Sequence, residues 1–207
     1  MGLEYASVRT FFGVPKGFQD AALADSGRLI AEMNPHGPNC AKVENGTRNR
    51  WKEKTGLEPQ DSRFTVIVPI HNEERFLPAA LGAIARSDIP SSAHVNFVFV
   101  TNNCTDSSSQ IVDQFMNTFG KVGKNTFLPG DINELKDSGL DAEYSSTTYG
   151  NMTFTRLNTS TASKANALNL GNYLAVQKGD KIAVSVDANN FVEPDAVASL
   201  FGTAYES

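Results

Sequence analysis

The chain has only 2 cysteines and 1 tryptophan in 207 residues. Cys40 and Cys104 cannot build the disulfide framework of a small secreted domain. Long apolar runs are also missing: the longest, such as 97–100 and 182–184, are strand-sized and far below the ~20 residues that cross a bilayer. The N-terminus carries Glu4 and has no continuous apolar stretch of the signal-peptide kind. No integral membrane segment is expected, and the expected compartment is cytoplasmic. A basic excess is absent as well, with 18 Lys and Arg against 23 Asp and Glu. Split at residue 62, the counts are 8 basic and 8 acidic before it, then 10 basic and 15 acidic after it. An acidic body without a basic stripe is a poor partner for nucleic acid or anionic lipid, which need clustered cations. It suits a small-molecule site in which one cation and a few local donors handle a phosphate.

What is present is ordinary globular composition, 40% hydrophobic and 20% charged with 16 Gly and 9 Pro, enough for one domain and something extra. Residues 1–62 have weak periodicity, turn formers at Asn34-Pro35-His36-Gly37-Pro38-Asn39 and a polar stretch from Glu44 to Lys54. They read as a partly helical extension that covers a face or edge, with one helix over about 18–33 and another near Trp51. From Arg63 the pattern sharpens. β-Branched and aromatic runs at 64–70, 95–100, 152–157 and 181–186 predict strands, and helical spacing of apolar residues after each predicts helices over 76–84, 106–119, 164–177 and 194–204. Thr105 is placed to cap the second helix. Residues 120–150, rich in Gly, Asp and Ser and long for a connection, read as an inserted loop with a little local structure. Alternating strands and helices predict an α/β fold with a mostly parallel sheet and flanking helices. Such sheets bind ligands at the carboxyl ends of their strands.

Polar clusters follow all four strands: Pro69-Ile70-His71-Asn72-Glu73-Glu74, Asn102-Asn103-Cys104-Thr105-Asp106, 158–164, and Asp187-Ala188-Asn189-Asn190. Each alone suits a turn or a helix cap, because Asn, Asp, Ser and Thr favour those positions. Glu73, Glu74 and Asp106 equally suit the positive end of a helix dipole, and Lys164 a solvated surface. His71 reads more simply as a hydrogen-bonding residue than as a proton carrier. No G-x-G-x-x-G or other Gly-rich phosphate loop follows the first strand.

In order and spacing, Pro69-Ile70-His71-Asn72-Glu73-Glu74, Cys104-Thr105-Asp106, Lys164-Ala165-Asn166-Ala167-Leu168-Asn169-Leu170-Gly171 and Val186-Asp187-Ala188-Asn189 resemble the motifs of family 2 glycosyltransferases of the Rossmann-like GT-A fold. The resemblance covers residues 63–201; residues 1–62 show none. It implies transfer of a sugar from a nucleotide-diphosphate-sugar donor to an unknown acceptor with inversion. It also implies that Pro69, Ile70, His71, Glu73 and Asn102 lie against the nucleoside, and that Lys164 and Asp187 lie near the diphosphate. Members commonly carry two aspartates where Thr101 and Asn102 stand, so both carboxylates are replaced here. They also usually carry D-x-D where this chain has Asp187-Ala188-Asn189. That motif holds Mg²⁺ or Mn²⁺ through hard oxygen ligands, so Asp187 and Asn189 are the implied metal positions, with a neutral amide at the last one. The family's general base follows this region, so residues 63–207 read as a donor-binding domain cut short at its C-terminal side, and no catalytic base is named. Two other readings stay open: a nucleotide- or sugar-binding module that has lost catalysis, and a nucleotidyltransferase-like enzyme on a similar sheet.

Overall fold

A computed structural model describes residues 40–119, 123–125, 142–180 and 182–206. The expected helix over 18–33 lies outside the described residues. In chain order the elements are α1 (Cys40–Thr55), β1 (Arg63–Ile70), α2 (Leu77–Ala85), β2 (His94–Asn102), α3 (Ser108–Thr118), β3 (Gly123–Asn125), β4 (Glu143–Tyr149), β5 (Met152–Thr159), α4 (Lys164–Gln177), β6 (Ala183–Ser185) and α5 (Ala196–Glu206), with a short 3₁₀ turn at Pro59–Asp61. They form an α/β layer structure on one six-stranded sheet of order β3-β4-β5-β2-β1-β6. β1 pairs in parallel with β2 and β6, and β2 in parallel with β5, whereas β3, β4 and β5 pair antiparallel.

Within 120–150, where the sequence predicts an inserted loop with a little local structure, the described residues form β3 and β4, an antiparallel wing on the sheet. Glu143-Tyr144-Ser145-Ser146-Thr147-Thr148-Tyr149 is too polar to announce itself by hydrophobicity, yet its Thr and Tyr suit a pleated surface. Gly150 with φ +58° turns the chain tightly into β5, and Tyr149 pairs with Met152 across that turn.

Successive side chains on a strand point to opposite faces of a sheet, and β1 and β2 divide accordingly. Phe64, Val66, Val68 and Ile70 of β1, with Phe97 and Phe99 of β2, join the larger core under α1, α2, α3 and α5. Ile67, Val98 and Val100 point the other way and meet Ala167, Leu170 and Leu174 of α4. The larger core is aromatic. Phe99 and Phe115 pack edge to face at 5.8 Å, and Phe64 stacks on Phe201 at 4.3 Å. Trp51 of α1 lies 6.0 Å from Phe64 and 5.9 Å from Phe201, and its Nε1–H donates to Ser62 Oγ at 2.9 Å. The segment expected to cover a face or edge thus contributes a fully buried residue to the main core. At Gly202 any Cβ would press inside van der Waals contact of the Lys54 carbonyl, so the α1–α5 approach needs glycine there.

The amino edge of the sheet is held by a buried carboxylate. Asp180 accepts from Arg63 Nε at 2.8 Å, Thr65 Oγ1 at 2.6 Å and Asn96 Nδ2 at 2.5 Å. No described helix is long and apolar enough to cross a membrane.

Candidate functional site

Because β1, β2, β5 and β6 run parallel, their carboxyl ends open on one edge. There the segments that follow them enclose a cleft of about 290 Å³. From the β1 end come Pro69, Ile70, His71 and Glu73, from β2 Asn102, from the start of α4 Lys164, and from the β6 end Asp187 and Asn189. All eight residues singled out in the sequence therefore line one cavity. Ala162, Ser163 and Ala188 line it too. Ser163 had a sequence signal, a serine directly before a helical pattern, and it is the α4 N-cap whose Oγ accepts from Asn166 N–H.

The first two loops are tied to each other by bonds that need no ligand. Asn72 and Asn103, at the ends of β1 and β2, both take left-handed backbone angles (φ 54° and 47°), which asparagine tolerates better than most residues. Asn72 Oδ1 accepts from Thr105 N–H at 2.8 Å. Thr105 thus is not the cap of α3; Ser107 holds that position, and carboxylates take the free amides instead. Asp106 accepts from Ser108 N–H at 2.9 Å and from Glu74 N–H at 3.0 Å, while Glu74 accepts from Ser107 N–H at 2.9 Å. Glu73 N–H donates to Ser108 Oγ at 2.8 Å. Glu74 and Asp106 therefore satisfy helix-start amides across two loops. Cys104 Sγ completes the seam against Ile70 O at 3.5 Å.

Asn102 is the buried polar residue of the cleft, 4% exposed. Its Oδ1 accepts from Ser163 N–H at 3.1 Å, an amide that also reaches Thr161 O. Its carbonyl oxygen accepts from His71 Nδ1 at 2.7 Å. A carbonyl can only accept, so Nδ1 of His71 carries the hydrogen and a neutral ring keeps Nε2 bare. At the outer end, Lys164 Nζ donates to Asp187 Oδ1 at 2.6 Å, with both side chains about half exposed.

Charge is unevenly shared in this space. Burial raises the pKa of Glu73 above the ordinary carboxylate range, and the negative charges of Asp106 and Asp187 add to the rise while His71 opposes it. For Asp106, burial works against the charged form, but hydrogen bonds from Ser108 and Glu74 outweigh it and hold the carboxyl below its usual value.

Among the described residues no group of three His, Cys, Asp or Glu side chains is gathered as a metal cage. Asp187 and Asn189 lie on the same wall of the cleft, and both offer oxygen. That set fits a hard dication taking one or two protein ligands and completing its shell with substrate phosphate and water.

No protein-family model matches the chain, and no curated protein sequence matches it significantly. Solved structures do match. One is a crystal structure of Staphylococcus aureus TarS 1-349, at 17% identity and a TM-score of 0.40, covering 65% of this chain and 30% of that one. The same protein in complex with UDP matches at 20% identity and a TM-score of 0.40, with the same coverage. The mannosyltransferase PcManGT from Pyrobaculum calidifontis, in complex with GDP-Man and Mn²⁺, matches at 19% identity and a TM-score of 0.41, covering 87% of this chain and 42% of that one. The chain thus spans 30% to 42% of the length of these structures. Likenesses of this size assign neither family nor activity.

Proposed function

We propose that the cleft is the donor site of a GT-A glycosyltransferase of the family 2 kind, which moves a sugar from a nucleotide-diphosphate-sugar to an acceptor hydroxyl with inversion. The observation that carries this reading is the convergence of residues from four strand ends on one cavity, with a buried amide at its inner end and a lysine–carboxylate pair at its mouth. A planar base needs fixed hydrogen bonds where water is excluded, because unpaired polar edges cost kilocalories in a closed pocket. A diphosphate needs a cation where solvent still reaches. Asn102 with the apolar wall of Pro69 and Ile70 meets the first need, and Lys164 the second.

In such a transfer the acceptor hydroxyl gives its proton to a general base and its oxygen bonds to the anomeric carbon as the bond to the diphosphate breaks, the electron pair leaving on the diphosphate. Mg²⁺ or Mn²⁺, when bound, neutralises charge on that leaving group; Asp187 and the Asn189 side-chain carbonyl would hold it. Lys164 binds the phosphate oxygens, and Glu73 and His71 orient the nucleoside side of the cleft.

Calorimetry with sugar nucleotides of the four common bases, with and without Mn²⁺, tests the reading together with donor hydrolysis. Binding of at least one donor, with Mn²⁺-dependent hydrolysis lost in Asp187→Ala, is the expected result. Binding without turnover would leave a sugar-nucleotide-binding module, and no binding would remove the nucleotide site altogether.

A further inference from the structure

The ammonium of Lys164 and the carboxylate of Asp187 hold each other at 2.6 Å across the mouth of the cleft. The donor-site reading assigns these groups to different parts of the ligand, the lysine to phosphate and the aspartate to a dication. Bonded to each other, they compete with both. Asp187 can take a dication only by giving up the ammonium or by holding two positive charges within a few ångströms, where they repel even in water. The amide of Asn189 brings no charge to compensate. Lys164 is also the only lysine or arginine among the described residues that line the cleft. The backbones beneath the pair are anchored, whereas the lysine side chain is free to turn. Ser163 caps α4 directly before Lys164, and Asn190 N–H donates to Asp187 O at 3.0 Å, closing a turn at the end of β6. The lysine stem is unbranched and 62% exposed, and exposed side chains change rotamer within about nanoseconds. Rotation of the lysine alone therefore opens the pair, with no loop displaced.

We propose that the Lys164–Asp187 pair is a latch that holds Asp187 back from free divalent metal and releases it to metal arriving with a diphosphate, an inference that rests on reading the cleft as a donor site. When phosphate oxygens reach the lysine, the ammonium exchanges one anionic partner for another and loses no charged hydrogen bond. Asp187 is then left without its cation, beside phosphate oxygens that make the need for a positive charge greater. The lysine thus has two opposed effects: it disfavours metal alone and favours phosphate. An ion pair this exposed is worth a factor of about two to five in an equilibrium constant, and that factor sets the size of the handicap on free metal. A lysine that served only the fold would not produce effects of opposite sign on two ligands.

The test compares the native 207-residue chain with Lys164→Met, Asp187→Ala and the double variant, none of which is expected to lose the fold because both side chains are about half exposed. The affinity for Mn²⁺ alone is read from the loss of the free-ion electron paramagnetic resonance signal, and that for ADP, CDP, GDP and UDP by calorimetry, first with EDTA and then with Mn²⁺. Lys164→Met is expected to bind Mn²⁺ alone about two to five times more tightly than the native chain. The same substitution should weaken the tightest of the four diphosphates about tenfold. Between Asp187→Ala and the double variant the gain in Mn²⁺ affinity should vanish, because the lysine acts through that carboxylate. Equal or weaker Mn²⁺ binding by Lys164→Met overturns the latch while leaving the nucleotide site standing. A gain that persists in the double variant is a general effect of charge and overturns it too. If none of the four diphosphates binds, even with Mn²⁺, the donor-site reading falls first and the latch with it.

Discussion

Lys164 Nζ sits 2.6 Å from Asp187 Oδ1, so the first residue of α4 reaches across the cleft mouth to the end of β6. An ion pair this exposed adds on the order of 0.2–1 kcal/mol to stability. A phosphate offers the lysine a charge-assisted bond, worth more than a neutral one. Replacing Lys164 with Met should therefore lower stability by less than about 1 kcal/mol while weakening nucleoside diphosphate binding about tenfold, the loss of one charged hydrogen bond of about 1.5 kcal/mol. Chemical denaturation and calorimetry on the same variant separate the two effects. A large stability loss with unchanged nucleotide binding would show that the lysine serves the fold.

The sequence makes α4 legible almost to the residue. Ser163 caps it, Lys164 opens it, and Ala167, Leu170 and Leu174 recur on one face. The residues of the cleft are legible too, as clusters after strands. Their hydrogen-bonding roles are not, because these depend on partners distant in the chain. Asn102 meets Ser163 across 61 positions and Glu74 meets Ser107 across 33. β4 escapes notice for a different reason: its two buried residues are Ser145 and Thr147, and the other five are exposed or half-buried, so hydrophobic alternation never appears.

Glu73 should show itself in the pH dependence of stability. Its pKa is raised in the folded chain, chiefly by burial. The folded state is therefore favoured while the carboxyl is protonated, below its unfolded pKa of about 4.3, and that advantage is lost as pH rises through the folded value. Glu73→Gln removes the titration. The melting temperatures of variant and native chain should converge near pH 3.5 or below and separate at pH 7, with the variant higher. A variant that melts lower at pH 7 would contradict this account.

Asp106 has the opposite sign. Its lowered pKa means that its contribution is present above the unfolded value, about 3.9, and disappears as pH falls through the folded one. Asp106→Ala removes acceptors for Ser108 and Glu74 amides. It should cost about 1–2 kcal/mol at neutral pH, the range of a lost helix cap, and less in acid. Urea unfolding at pH 7 and pH 3 reads both values.

Asp180 lies away from the cleft and should affect the fold alone. Its side chain is fully buried and accepts from Arg63, Thr65 and Asn96. Asp180→Ala leaves Thr65 and Asn96 with buried, unmatched donors, a loss of about 2–3 kcal/mol. Calorimetric unfolding should register that loss. Nucleotide affinity at a temperature where the variant remains folded should stay within twofold of the native chain, and a larger change would link the two edges of the sheet.

The bonds that join the loops after β1 and β2 bear on the kinetics of recognition. Asn72, Glu74, Asp106 and Ser108 fasten those loops to one another using contacts a ligand does not supply. The entropy of ordering that wall of the cleft is thus surrendered when the chain folds, not when a ligand arrives. Association at this wall can proceed as docking onto a finished surface, with differences between ligands expressed mainly in how fast they leave.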